Sequence, residues 1–320
     1  METGTQIIES GLGRAKLDET RIDPLFLKEI ADVPPQYKVL KTSDGDEYEV
    51  FAACKAKHLI RGANEAATLF ATRKSDKEKV AIKIFLGAQT GYPEVRAAEF
   101  RRAIEAIPEA ERTMRLEDSE ENRAYWEKHL INHVFSAGTT ADLMEGAFTT
   151  LTGGPAVSLA AMELAPENQL TTEGYGFISV DGMLHVTKSG KSPKVFPYEK
   201  GHPVLVTKFV EGKLLFLDEA AESETWQPSK SQASREVYLK YKDQMIAAKQ
   251  KIADAGFAGH DVEVFVNPET EQIYVMDLGQ IKPMTIEAIK SCIDKVVKIY
   301  NLPEIFVKMA ANRYWHKIEE

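Results

Sequence analysis

A lysine that closes an apolar run, Val80-Ala81-Ile82-Lys83, and three carboxylates far downstream, Asp261, Glu263 and Asp277, are the side chains best suited to chemistry. The apolar run reads as a β-strand, and a cation fixed on a rigid strand suits the binding of a phosphate chain. Asp277 follows the strand-like Gln272-Ile273-Tyr274-Val275-Met276 and precedes Leu278-Gly279, so it stands at a strand end, where a hard carboxylate can hold Mg2+. Asp261 and Glu263 lie two apart at the entrance of another short strand, a spacing that turns both to one side. Three carboxylates would repel a phosphate group unless metal ions reverse the local charge, so this set makes sense only as a metal site.

The elements that must position these residues are legible in outline. Tyr37 to Ala53 reads as a hairpin turning at Ser43-Asp44-Gly45-Asp46, and Thr68 to Thr72 and Lys79 to Phe85 read as a second antiparallel pair. Residues 92 to 166 carry helical periodicity in several pieces, the last starting at Pro155 and stopping before Pro166. Strands return at Tyr175 to Val180, Met183 to Thr187 and Pro203 to Val210. Beyond Gly212 the texture is helical: an amphipathic helix from about Arg235 to Ala255 is ended by Gly256. Two short strands, Glu263 to Val266 and Gln272 to Met276, flank the turn Asn267-Pro268-Glu269-Thr270-Glu271. Two helices close the chain, at about 284 to 299 and 303 to 317.

In this order the pieces resemble the protein-kinase superfamily over about residues 58 to 300, most closely atypical or bacterial effector kinases with a reduced C-lobe. The resemblance implies an α+β, two-lobed protein-kinase-like fold: an N-terminal extension over 1–35, an antiparallel-sheet N-lobe with a helical insert at about 92–166 within 36–211, and a small, mainly helical C-lobe with a catalytic hairpin over 212–320. It implies ATP and Mg2+ as cofactors. Lys83 would then hold the α- and β-phosphates, paired with a helix glutamate, and Asp277-Leu278-Gly279 would be the metal-binding tripeptide with leucine in place of phenylalanine. Glu163, on the helix before the returning strand, is the favoured partner, with Glu99 the alternative. Gly62-Ala63-Asn64-Glu65 occupies the place of the phosphate-covering loop, so Gly62 and Asn64 are expected there, although a single glycine predicts a looser cover. Lys208-Phe209-Val210, before Glu211-Gly212, resembles the hinge whose main chain meets the adenine edge.

The catalytic loop departs from that pattern. Ala255-Gly256-Phe257-Ala258-Gly259-His260-Asp261 resembles the His-Asp loop, with Asp261 as base, yet the metal-binding asparagine expected five positions on is Val266; counting back from Asp277 puts Glu263 in that role. A strict alignment instead puts Ala258 at the catalytic position, which would make the fold inactive or re-purposed. Only 41 residues follow Gly279, so the peptide-docking half of the helical lobe is expected to be missing or replaced. The leading expectation is an atypical kinase that transfers a phosphoryl group to a protein or small-molecule acceptor. The alternatives are a pseudokinase acting as a nucleotide-dependent binding module, and a kinase-like fold with AMP-transfer or carboxylate-activating chemistry.

Composition bounds the partners. A net charge of −9 gives no global attraction to nucleic acid, and none is expected as a partner. Cys54 and Cys292, the only cysteines, exclude a disulfide-built domain and a cysteine-rich zinc site. No apolar run is long enough for a transmembrane segment and no secretion signal is visible, so the expected location is cytoplasmic or, after specialised export, a host cytosol. A regulatory partner would leave no trace in the pattern. His129 and His133, four apart on a helix, read as packing or surface histidines rather than a metal pair, and Tyr238, Tyr241, Met245, Ile246 and Ile252 read as a helix's packing face.

Overall fold

Strand alternation over residues 39–85 and 172–208 produces a sheet that closes on itself. The computed structural model describes residues 30–31, 39–42, 45–54, 66–85, 93–133, 147–179, 182–186, 194–198, 200–259 and 262–319. The architecture is α+β, and the chain forms two compact units. The first comprises residues 1–88, 165–251 and 261–278; the second comprises 89–164, 252–260 and 279–320.

In the first unit, β2 (Val39–Thr42), β3 (Glu47–Cys54), β4 (Ala66–Arg73), β5 (Lys79–Phe85), β6 (Thr172–Ile178) and β9 (Pro203–Lys208) pair in the order β3-β2-β6-β9-β5-β4. β3 also pairs with β4, so six antiparallel strands form a closed barrel, with β1 (Ile30–Ala31) added on β3. Alternation explains its core. Register aligns Leu69, Ile82 and Val206 across three strands on one face, and all three are buried. The opposite face carries Thr68, Lys83 and Leu205 in the same register. Irregularities between Val50 and Ala52 and between Thr172 and Gly174 bend the strands, as closure requires. Gly176 is needed where β6 meets β2, since a Cβ there would lie 3.0 Å from the Lys41 carbonyl oxygen.

The same unit holds the hairpin β7 (Gly182–Val186) and β8 (Lys194–Tyr198), and a three-stranded sheet of β10 (Leu215–Phe216), β12 (Glu263–Asn267) and β13 (Gln272–Met276). It also holds helix α5 (Arg235–Asp254) as far as Lys251. The buried stripe of α5 is Tyr238, Tyr241, Met245, Ala248 and Ile252. Ile246, expected on that face, is instead 49% exposed, because the 3-4-3-4 spacing of the stripe runs through Ala248 and leaves position 246 on the flank.

The second unit gathers α1 (Pro93–Glu105), α2 (Glu109–Arg115), α3 (Glu120–His133), a helical segment at 147–152 and α4 (Pro155–Leu164) with α6 (Ile286–Tyr300) and α7 (Glu304–Glu319). Its core is aromatic: the Trp126 ring meets Phe306 edge-on with centroids 4.1 Å apart, and Phe100 packs beside Phe306. His129 stacks on Tyr125, and its Nε2 lies 3.1 Å from the Ala103 carbonyl oxygen, so it packs as the sequence reading expects; the side chain of His133 lies outside the described residues. Every residue of α4 from Pro155 to Ala161 is buried, and the helix packs on α6. A two-stranded pair, β11 (Phe257–Ala258) with β14 (Lys282–Pro283), leads into α6, whose N-cap Thr285 accepts a hydrogen bond from the Ala288 N–H.

Candidate functional site

Lys83 sits on a strand held on both sides, since β5 pairs with β4 on one side and with β9 on the other. Its direction follows from period two: Ile82 and Ile84 are buried on one face, and Lys83 points to the other. There its Nζ donates to Asp277 Oδ1 at 2.7 Å, with the two side chains only 15% and 8% exposed. A cation and a hard carboxylate separated by 194 positions in the chain are therefore in direct contact, within one compact unit. Asp277 has φ +57, a left-handed conformation that aspartate tolerates better than most residues, where β13 gives way to a 3-10 turn at Leu278–Gln280.

Hydrogen bonds fix β13 against the barrel. The segment before β6 lies parallel to its edge: Val275 N–H donates to the Gln169 carbonyl at 2.9 Å, and Thr171 N–H donates to the Val275 carbonyl at 3.1 Å. The Thr171 hydroxyl donates to the same carbonyl at 3.1 Å, and the Thr171 carbonyl accepts from the Lys208 N–H at 2.5 Å. Glu263, half-buried at the start of β12, lies opposite Met276 in the ladder, one residue before Asp277. The carboxylates of Asp277 and Glu263 thus come from adjacent strand ends.

The segment after β9 is held by a different set of contacts. The ladder with β5 ends at Lys208, so Phe209 and Val210, which the sequence reads as strand, lie outside it. Phe209 meets the Phe70 ring edge-on at 5.3 Å, and Lys79 Nζ lies 5.8 Å from its centroid. Asn267, 2% exposed, donates from Nδ2 to the Glu211 carbonyl at 2.8 Å and accepts at Oδ1 from the Glu269 and Thr270 amides. One amide side chain ties the β12–β13 turn to the exit of β9. Gly212, at φ +91, is required beside it, since an added Cβ would stand 2.8 Å from Asn267 Nδ2.

Glu163, the favoured partner of Lys83 in the sequence reading, lies at the end of α4 in the second unit. Its carboxylate accepts from Lys295 Nζ at 2.9 Å and from the Ser291 hydroxyl at 2.7 Å, and the Lys295 contact holds its pKa below the ordinary carboxylate value. Burial works against the Lys295 ammonium, but Glu163 and Asp294 outweigh it and raise its pKa. Glu99 belongs to α1, and its side chain lies outside the described residues, as do Gly62, Asn64 and Asp261 entirely.

The oxygen donors of Asp277 and Glu263 suit Mg2+, which is typically held by one or two protein carboxylates and completes its shell with water and phosphate oxygens. Zinc more often takes histidine nitrogen and cysteine sulfur donors. Among the described residues no group of three or more His, Cys, Asp or Glu side chains gathers for a metal, and Cys292 is buried in α6, where burial pushes its thiol pKa far up. Thr171 and Asn267 escape a reading of the sequence. Each looks like an ordinary residue, one beside a strand and the other in a turn, and their importance lies in partners 104 and 56 positions away. Comparison of the chain with protein-family models, with curated proteins and with solved structures finds no match in any of the three.

Proposed function

We propose that this chain is an atypical kinase: a two-lobed, protein-kinase-like phosphotransferase that uses ATP with Mg2+ to modify a protein or small-molecule hydroxyl. The observation that carries the reading is the contact of Lys83 with Asp277, which brings a strand-borne cation and a strand-end carboxylate together on the face opposite Ile82 and Ile84. In this reading the Lys83 ammonium holds nucleotide phosphates, Asp277 and Glu263 hold the cation, and Asp261 orients the acceptor hydroxyl. Bound Mg2+ supplies neutralisation of the phosphate charge that these carboxylates would otherwise repel. The main chain of Phe209 and Val210, released from the β9 ladder, is free of the sheet where the adenine edge is expected. Phosphoryl transfer depends on positioning and charge more than on covalent chemistry by the protein, so a shortened catalytic loop is compatible with turnover.

The same contact supports a second reading. Lys83 and Asp277 satisfy each other directly, as a structural ion pair does, and a pseudokinase or a non-catalytic module would keep such a pair. Incubation of the purified protein with Mg2+ and ATP labelled at the α- or the γ-phosphate separates the readings. Transfer of the γ label alone supports the kinase, and retention of the α label identifies AMP transfer. Thermal stabilisation by Mg2+-ATP without turnover identifies the pseudokinase. Lys83→Ala and Asp277→Ala are expected to lower turnover on the order of 100-fold. Folded variants with unchanged nucleotide affinity and turnover would overturn the assignment.

A further inference from the structure

We propose that Thr171 is a positioning residue for the Lys83–Asp277 pair. The inference rests on the reading of that pair as a functional site, but its physical basis is independent of any nucleotide. Asp277 lies at the free end of β13, whose inner ladder partner is the short strand β12. The outer edge of β13 is held by residues 169–171, and the hold is centred on Val275. Asp277 is two positions beyond Val275, a reach of about 7 Å in extended chain, so a shift of the Val275 carbonyl is passed to the Asp277 carboxylate with little slack.

Thr171 is built into that hold three times. Its amide and hydroxyl both donate to the Val275 carbonyl, each at 3.1 Å, and its carbonyl accepts from Lys208, the residue at which β9 leaves its ladder with β5. Lys83 is on β5, two strand positions from Ala81, whose carbonyl accepts from the Thr207 hydroxyl. Hydrogen bonds therefore link β5 through β9 and Thr171 to β13, from Ala81 to Val275, and each member of the pair lies two positions from one end. Thr171 is 2% exposed, so water does not replace a lost bond easily. A backbone amide alone would fix the separation of the two chains. The hydroxyl on the same carbonyl also fixes its direction, which sets where the following turn presents Asp277.

Two conservative changes divide the side chain. Thr171→Val keeps the shape and the amide bond and removes the hydroxyl; Thr171→Ser keeps the hydroxyl and removes the methyl group. The readout is the reaction of Lys83 with an amine-acylating ester in the full-length protein without nucleotide, measured by peptide mass spectrometry, with Asp277→Asn as the reference for a lysine that has lost the Asp277 carboxylate. Thr171→Val is expected to raise Lys83 labelling about fivefold toward that reference, the factor expected for loss of one buried hydrogen bond. Thr171→Ser is expected to label as wild type, even if losing the methyl group lowers its melting temperature. A Val variant that melts lower yet labels as wild type would make Thr171 merely structural and overturn the proposal. So would a Ser variant with raised labelling, and that arm decides the question if the Val variant does not fold. Thermal stabilisation by Mg2+-ATP is measured in parallel. Its absence in the wild type would remove the kinase reading and leave the labelling result to judge Thr171 alone.

Discussion

At the scale of the residue, the Lys83–Asp277 contact has an energetic signature. Both side chains are largely removed from water, so deleting one removes a charge-assisted hydrogen bond from the other, at a cost of about 2–3 kcal/mol. Lys83→Met and Asp277→Asn are each expected to show that loss in denaturant unfolding; asparagine is chosen because it tolerates the positive φ. The double variant is expected to cost less than the sum, because both single changes remove the same contact. Strict additivity would mean that the two groups do not interact. Glu163 makes the contrasting case. Its folded pKa is depressed, chiefly by Lys295, so its stabilising contribution is present above the unfolded carboxylate value and is lost as pH falls through the folded one. With the side chain 53% exposed, Glu163→Gln should cost less than about 1 kcal/mol at neutral pH. The gap to wild type should close on acidification below about pH 4, as read by melting temperature across pH. A gap that widens in acid would contradict the assignment.

At the scale of the element, glycine and threonine settle how α5 ends and α6 begins. Gly256 has φ +88, and a Cβ there would stand 2.1 Å from the hydroxyl oxygen of Thr285, the N-cap of α6. Gly256→Ala therefore combines an unfavourable backbone region with displacement of a cap, and is expected to cost about 2–4 kcal/mol in equilibrium unfolding. A loss under 1 kcal/mol would show that the cap relaxes freely. The sequence announces this helix end, because glycine after an amphipathic run is a strong stop signal. It announces the β5 strand and the β12–β13 hairpin equally well, through alternation and a Pro-containing turn. Strand β8 is missed, since Pro193 and Pro197 argue against a strand; a two-stranded hairpin tolerates proline on its edge. The ends of β9 are misjudged for a related reason. Phe209 and Val210 continue the apolar strand pattern, but they lie beyond the ladder with β5, and Phe209 meets the Phe70 ring instead.

At the scale of the molecule, local pattern loses its hold. Lys83 and Asp277 stand out in the sequence as two separate motifs, yet nothing local says that they touch, because the contact depends on the register of β5 against β9 and on the docking of β13 along residues 169–171. Closure of the sheet is equally silent, since it is made by the β3–β4 pairing and two bulges, which alternation does not encode. Which helices pack together also depends on long-range partners: α4 finds α6, and the Trp126 of α3 finds the Phe306 of α7. The closed ring has a further consequence for any macromolecular acceptor. Among the described residues the six ring strands pair on both sides, and the stretch of β3 that reaches beyond β2 is already covered by β1, so the ring offers little edge on which a peptide could lie down as a further strand. At the ring, a protein substrate would then be recognised mainly through side chains and loops, so its selection there would rest on local surface chemistry more than on main-chain shape.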